Sequence, residues 1–544
     1  MKDKAFSVFG VLVDPLQRSQ KGVEMIIERG GIVSIIQRPE ITHPFILPGF
    51  IDSHVHVESS MLTPSRFAHA AVRHGTVGVV TDPHEVANVA GRDGVEFMIE
   101  DGKTVPVRFF FGAPSCVPAS PLEVSGAVIT ASHIDEMLAR EEFYYLSEMM
   151  NFPGVLHDDP EVWQKLKSAH HYSKPIDGHA PGLTGNDLRK YVGSGIVTDH
   201  ECSNVNEALE KLSLGMKILI REGSAAKNFD NLMPLIASHP DRLMFCTDDC
   251  HPDYLLKGHI NRLVARAIKQ GFDLYDVIRI ACINPVLHYK LPVGLPAVGQ
   301  RADFILVEDL VSFRVTATYI GGDAVFENNQ VGFSMKKASK PSYPFRKTFA
   351  ADMLKVVANH GQMNVIRAID GELITLWEKV ACTKGVEVVA HPENDLLKIV
   401  LLDRYSESPP VVAFISGFGL KQGALACSIA HDSHHVIAVG CDDESLQSAL
   451  QWIVQNRGGM CIAHKEMVEG IALPFYGLMT DKPCAQVADE YEKLGKKARS
   501  FGSVLGAPFM TLSFMALTVI PNLKINHNGL FDGVAFKNID LFIT

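Results

Sequence analysis

The sequence predicts an α/β protein: a (β/α)8 TIM-like barrel with a discontinuous small β-sandwich domain and a C-terminal α/β domain. Three observations carry that prediction. Eight short apolar runs alternate with polar, helix-like stretches between residues 47 and 294. Two β-rich segments, 1–46 and 295–335, bracket that region. A third stretch, 346–544, mixes strand and helix patterns of its own.

At the N-terminus, residues 5–13 and 23–36 are rich in β-branched and large apolar side chains, and Gly30-Gly31 interrupts the second run as a hairpin turn does. The eight barrel runs are FIDSHVH (50–56), TVGVVTD (76–82), VRFFFG (107–112), FYYLSE (143–148), PIDGH (175–179), GIVTDH (195–200), KILIREG (217–223) and RLMFCTD (242–248). About 250 residues with eight β-then-α units is the size and rhythm of a (β/α)8 barrel. Residues 302–326 return to β character, with a turn at Gly321-Gly322-Asp323, so both ends of the barrel region feed one small β domain. The segment 336–350 is basic, carries Pro341 and Pro344, and reads as a linker. In the third unit LKIVLL (397–402), VVAFISGFG (411–419) and HVIAVG (435–440) read as strands, and 443–457 and 485–500 as helices.

Composition narrows the function. With 544 residues, 47% hydrophobic and 21% charged, the chain buries a large core and needs no disulfides. The ten cysteines are scattered without a C-x-x-C pair, which fits reduced, buried thiols; Cys246 and Cys250 read as packing neighbours of a site. A net charge of −11 argues against nucleic acid or an anionic membrane as partner. Met1-Lys2-Asp3-Lys4 is not followed by the apolar stretch of a leader, and no run reaches the ~18–20 apolar residues of a membrane helix. The expected compartment is the cytoplasm.

In such barrels the chemistry sits at the C-terminal ends of the strands. His54 and His56 stand at the first, and two residues apart on a strand they point the same way. Glu148 ends the fourth run, His179 the fifth, His200 the sixth and Asp248 the eighth. Four imidazoles and two carboxylates at one barrel mouth suit two divalent metal ions, and a carboxylate such as Glu148 can bridge them. Water shared by two such ions is a nucleophile at neutral pH.

These residues lie in recognisable motifs. PGFIDSHVH (48–56) resembles the signature of the amidohydrolase superfamily, and VGQRADFILVED (298–309) is similar to its return to the small β domain. Within that superfamily, the stretch 54–91 resembles the bacterial adenine deaminases, as do SEMMNFPGV (147–155), GHAPGL (178–183), TDHE (198–201), REGSAAKN (221–228), CTDD (246–249) and GFGLKQGALACSIAHDSHH (417–435). The resemblance covers essentially the whole chain. It implies hydrolytic deamination of adenine to hypoxanthine and ammonia, a purine-salvage reaction, by a homo-oligomer. It also implies a first metal on His54, His56 and Asp248 and a second on His179 and His200, with Glu148 bridging. Manganese or iron is the expected metal, with zinc also suited to these donors.

Asp248, beside the water, is the expected base that passes its proton to the departing amine. For the proton on ring nitrogen N1 the candidates are Glu85 and His84 in DPHE, and Glu222 in REGS; Glu85 is preferred. Glu222, Ser224, Asn88 and Arg221 are the candidate substrate contacts. The cluster His431–His435 reads either as a further metal site, a cap over the barrel mouth, or a surface turn; His435 stands where the family pattern has Asn.

Other readings keep the barrel and change the substrate to another aminated heterocycle or a cyclic amide, or make the chain an inactive metal-binding scaffold. The single-zinc deaminase pattern is absent, because Pro483-Cys484 lacks its second cysteine.

Overall fold

The computed structural model describes residues 5–543 apart from Pro121, Ala225, Lys347 and Ala350. Met1–Lys4, on which the reading of the N-terminus rested, lie outside the described residues. The chain divides into two compact units. Met1–Pro83, Glu96–Cys116 and Ile129–Ala338 form the first; His84–Val95, Val117–Val128 and Ser339–Thr544 form the second.

In the first unit, β1 (Phe6–Asp14), β2 (Ser19–Glu28), β3 (Gly31–Gln37) and β4 (Phe45–Pro48) come from the N-terminus. The barrel strands follow: β5 (Phe50–Val55), β6 (Thr76–Thr81), β7 (Arg108–Ala113), β8 (Phe143–Met149), β9 (Ile176–Gly178), β10 (Thr198–Asp199), β11 (Lys217–Arg221) and β12 (Leu243–Cys246). The chain then returns through β13 (Phe304–Val307), β14 (Val315–Ile320), β15 (Asp323–Glu327) and β16 (Gln330–Val331).

Strands β1–β4 and β13–β16 join one sheet in the order β16-β15-β14-β13-β4-β1-β2-β3. It curls on itself: Gly31 of β3 bridges Arg301 just before β13, and Phe6 stacks on Tyr319 of β14 with ring centroids 6.2 Å apart. Val8, Val23, Met25, Ile27, Ile46, Phe304 and Ala317 fill the enclosed core. Strand β4 pairs parallel to β1 and antiparallel to β13, which is how both ends of the bracketed region meet.

The barrel strands pair in parallel from β5 to β9 and from β10 to β12. The two arcs meet at both seams. Val197 N–H donates to Ile176 O at 3.0 Å beside β9 and β10. Asp248 N–H donates to His54 O at 2.8 Å, and His56 N–H returns a bond to Asp248 O at 3.0 Å, which ties β12 to β5. Strands β5, β6 and β12 are buried on every residue, as parallel strands covered on both faces are. Ile51, Val80, Phe110, Tyr145, Ile218, Ile220 and Phe245 belong to the core around them.

The second unit is built on β17 (Gln362–Ala368), β18 (Thr375–Ala381), β19 (Leu397–Leu402), β20 (Val411–Ser416), β21 (Ala424–Cys427), β22 (Val436–Gly440), β23 (Gly459–His464) and β24 (Met467–Ala472). They form a sheet in the order β18-β17-β20-β19-β22-β21-β23-β24. The expected helices appear as Asp443–Asn456, capped by Asp442 accepting from Ser445 N–H, and Cys484–Ser500. The glycine-rich run 417–423 joins two strands, β20 and β21. Gly417, Gly419 and Gly423 sit at φ 93°, 71° and 73° there, and a Cβ on Gly417 would lie 2.2 Å from Ala368 O.

Candidate metal centre

Strand β5 delivers His54 within it and His56 one residue past its end, with ring centroids 4.8 Å apart. The backbone bonds between β5 and the chain after β12 place Asp248 opposite them. Its Oδ1 lies 3.4 Å from His54 Nε2 and 3.2 Å from His56 Nε2. Asp248 takes φ 51°, a left-handed conformation that costs an L-residue about 1–2 kcal/mol.

Glu148, in β8, faces both sides of the cluster. Its Oε1 lies 3.4 Å from His56 Nε2, while Oε2 lies 2.9 Å from His179 Nδ1 and 3.1 Å from His200 Nε2. The donor atoms of His54, His56 and Asp248 lie within 4.8 Å of one another, as do those of His54, Glu148 and His200. Neither ring nitrogen of the fully buried His54 makes a hydrogen bond among the described residues. Buried polar atoms normally have partners. An orphaned imidazole beside two carboxylates therefore fits a divalent cation.

The electrostatics agree. Burial opposes charge on Glu148, but His179 and His200 outweigh it and hold the carboxyl well below its ordinary range. Burial likewise opposes charge on Asp248, and Arg221 followed by His54 and His56 keep it ionised. Two buried carboxylates held as anions are what metal ligation requires.

Several partners escaped the sequence reading. His56 Nδ1 donates to the carbonyl of Asp82 at 3.0 Å, which leaves Nε2 facing Glu148 and Asp248. Asp52 accepts from Thr247 N–H at 3.0 Å and lies 2.9 Å from His259 Nε2, so it anchors the residue preceding Asp248. Glu201 Oε1 lies 3.4 Å from His200 Nε2 and 3.6 Å from His179 Nδ1. The run TDHE held the signal for Glu201, but nothing in it separated Glu201 from a solvated strand-end acid.

The residues named as substrate contacts fall in different places. Arg221 is buried and donates to Asp248 Oδ2 at 2.7 Å, while its fork grips Glu201. Its visible role is to orient that aspartate. Glu222 pairs with Arg266 at 2.9 Å. Ser224 Oγ accepts from His251 N–H at 2.8 Å. His84, Glu85 and Asn88 open the helix His84–Gly102 in the part that belongs to the second unit, where Asn88 Nδ2 donates to His84 O at 3.0 Å. Cys246 and Cys250 are buried, and burial pushes the Cys246 thiol well up.

Behind His200, the fully buried Lys211 donates to Ala180 O at 2.7 Å, Glu207 Oε1 at 2.8 Å and Asp199 Oδ2 at 3.0 Å. Removing one member of a buried ionic set strands the others. Lys211→Met is expected to cost about 3–5 kcal/mol, read as a lower thermal unfolding midpoint. An unchanged midpoint would mean that Asp199 and Glu207 are not charged there.

Residues 45–325 match the model of the amidohydrolase family, and residues 372–537 match the model of the adenine deaminase C-terminal domain. An adenine deaminase of Salinibacter ruber is 49% identical over 542 residues, covering 99% of each chain. One of Methanosarcina mazei is 47% identical over 547 residues, covering 98% of this chain and 99% of the relative. The chain belongs to the adenine deaminase family. Among solved structures, an enamidase of the amidohydrolase superfamily aligns with a TM-score of 0.45 at 17% identity, covering 62% of this chain and 99% of that one. The alignments with the two adenine deaminase relatives run through both the barrel and the C-terminal region. The six clustered residues lie inside the amidohydrolase match, and His431–His435 inside the C-terminal one.

Proposed function

We propose that the chain hydrolyses adenine to hypoxanthine and ammonia at the cluster of His54, His56, Glu148, His179, His200 and Asp248. The observation that carries the reading is Glu148, whose two oxygens face different histidines of the set, within a chain that matches named adenine deaminases along nearly its whole length. Two divalent cations fit this set: His54, His56 and Asp248 would hold one and His179 and His200 the other, with Glu148 available to either. Manganese or iron is the proposed pair, and zinc suits the same donors. When bound, such ions acidify water and so supply the nucleophile at neutral pH.

The protein's own groups do the rest. Asp248, ionised and pinned by Arg221 through Oδ2, keeps Oδ1 toward the histidines, which supports it as the group that would accept a proton from the attacking water. That proton leaves with the amine nitrogen, so adenine and water yield hypoxanthine and ammonia in balance. Arg221 and Glu201 act on Asp248 and the histidines. Glu85 and His84 are the proposed groups that meet the purine ring.

No helix among the described residues is long and apolar enough to cross a membrane. We place the protein in the cytoplasm as a homo-oligomer acting on a free base.

Purified with manganese, the protein is expected to convert adenine to hypoxanthine, followed by ultraviolet absorbance. Stripping the metal with a chelator should abolish turnover, and adding it back should restore it. No turnover by fully metallated protein would overturn the adenine assignment and direct the search to other aminated heterocycles. Any turnover at all excludes an inactive scaffold.

A further inference from the structure

Two runs of the sequence share the pattern Ile-Asp-x-His: Ile51-Asp52-Ser53-His54 and Ile176-Asp177-Gly178-His179. Residues two apart on a strand point the same way, so each aspartate stands one layer below its histidine. Both aspartates are buried.

The strand pairing shows where those layers fall. The barrel strands form two ladders, β5 to β9 and β10 to β12, so two seams remain, β9/β10 and β12/β5. Each half of the metal centre straddles one seam. His54 and Asp248 lie across β12/β5, and His179 and His200 lie across β9/β10.

An Asp–Thr pair closes each seam beneath the ligands. Thr198 Oγ1 donates to Asp177 Oδ1 at 2.8 Å and accepts from Gly178 N–H at 3.3 Å. One hydroxyl thereby fastens β10 to β9, two residues before His200 and His179. At the other seam Thr247, directly before Asp248, donates to Asp52 through its N–H at 3.0 Å and also through its hydroxyl. The Oδ2 of each aspartate has a further partner from the helices that follow β12. Tyr289, at the end of the helix Asn284–Tyr289, donates to Asp177 at 2.7 Å. His259, just before the helix Ile260–Lys269, places Nε2 2.9 Å from Asp52 and Nδ1 2.7 Å from Thr76 Oγ1. Thr198, Thr247, Tyr289 and His259 are all buried.

Barrel interiors are filled mainly by branched apolar side chains. A carboxyl group there is costly unless it is hydrogen-bonded, and both aspartates are bonded across a seam. The width of the seam sets the spacing of the ligands above it. The rings of His179 and His200 have centroids 5.3 Å apart, and His54 Nε2 lies 3.4 Å from Asp248 Oδ1. Metal ions hold their ligands to within about 0.2 Å of fixed distances, so a seam that opens by a few tenths of an ångström weakens the half above it.

We infer that Asp177 with Thr198 and Asp52 with Thr247 are positioning pairs, one for each metal ion. The first sets the half formed by His179 and His200, the second the half formed by His54, His56 and Asp248. The inference rests on the two-metal reading of the centre. It assigns neither a proton transfer nor a substrate contact to the four residues.

Manganese counts on the full-length protein test it, at a free manganese concentration that just fills wild type. Loss of a group that orients metal ligands costs about 10–100-fold in affinity. Asp52→Asn and Asp177→Asn are therefore each expected to bind about one manganese per chain where wild type binds about two. The double variant is expected to bind almost none, because independent sites add. A double variant that keeps the count of the singles would put both pairs on one half, and a single variant that binds two or none would remove the division. Either result overturns the inference. A general loosening of the core lowers the thermal midpoint of the metal-free protein but does not divide the metals one and one. Where an aspartate variant does not fold, its threonine carries the test. Thr198→Val or Thr247→Val should then bind about one manganese and the corresponding Ser variant about two, and equal counts in Val and Ser overturn the assignment. The count needs no turnover, so failure of the adenine reading leaves it intact. Wild type that binds fewer than two metals would overturn the two-metal reading itself, and this assignment with it.

Discussion

Replacing Asp248 by Asn is expected to lower adenine turnover by about 10²–10⁴-fold, the range for loss of a positioned acid–base group. The amide keeps the shape but only one oxygen, so it accepts from Arg221 or faces His54 and His56, not both. What disappears is the negative charge and the ability to take a proton. The diagnostic result is the split between kcat and metal content. A large fall in kcat with metal still near two per chain identifies Asp248 as the proton carrier. A parallel loss of both would make it chiefly a ligand. Turnover near the wild-type level would remove Asp248 from the mechanism. The backbone supports the first outcome: two bonds to β5 and the φ of 51° fix residue 248 independently of its side chain.

The second large effect is expected at Glu148. Glu148→Gln removes the charge that faces His56 on one side and His179 and His200 on the other. Loss of a partner to a metal ligand already costs about 10–100-fold in affinity, so loss of a shared ligand should exceed that. Metal content is expected to fall from about two toward about one per chain, with turnover lost. Atomic absorption on the purified variant checks the count, and excess manganese in the assay checks whether occupancy limits activity. A variant that keeps both metals and full turnover would show that Glu148 does not span the centre.

Much of the site was legible because a barrel turns sequence order into spatial order. Parallel strands end on one face, so polar residues closing successive apolar runs converge whatever the intervening helices are. That is why His54, His56, Glu148, His179, His200 and Asp248 stand out from a chain with 23 histidines and 62 acidic residues. The helices 443–457 and 485–500 were legible for a different reason, their apolar periodicity and, at Asp442, a capping side chain.

Other features had no local signature. Arg221 at the end of β11 reads in the sequence as a substrate contact, yet it is buried between Glu201 and Asp248, which keep it charged against burial. Asp52 alternates into the barrel beside His54, but its tie to Thr247 spans 195 positions and its partner His259 lies farther still along the chain. The sequence reading placed 84–95 and 117–128 in the barrel region, while the structure packs them into the second unit.

The sequence by itself determined which side chains gather at the mouth of the barrel, because strand periodicity and the parallel repeat act over a few residues at a time. The tertiary structure alone decided what those side chains do for one another. Arg221 became an anchor for Asp248, and His431 and His434, buried rather than set in a surface turn, became the partners of Glu85. The reason is physical: a buried charge must find a counter-group somewhere in the fold, and that choice depends on three-dimensional packing, which no short-range pattern in the chain records.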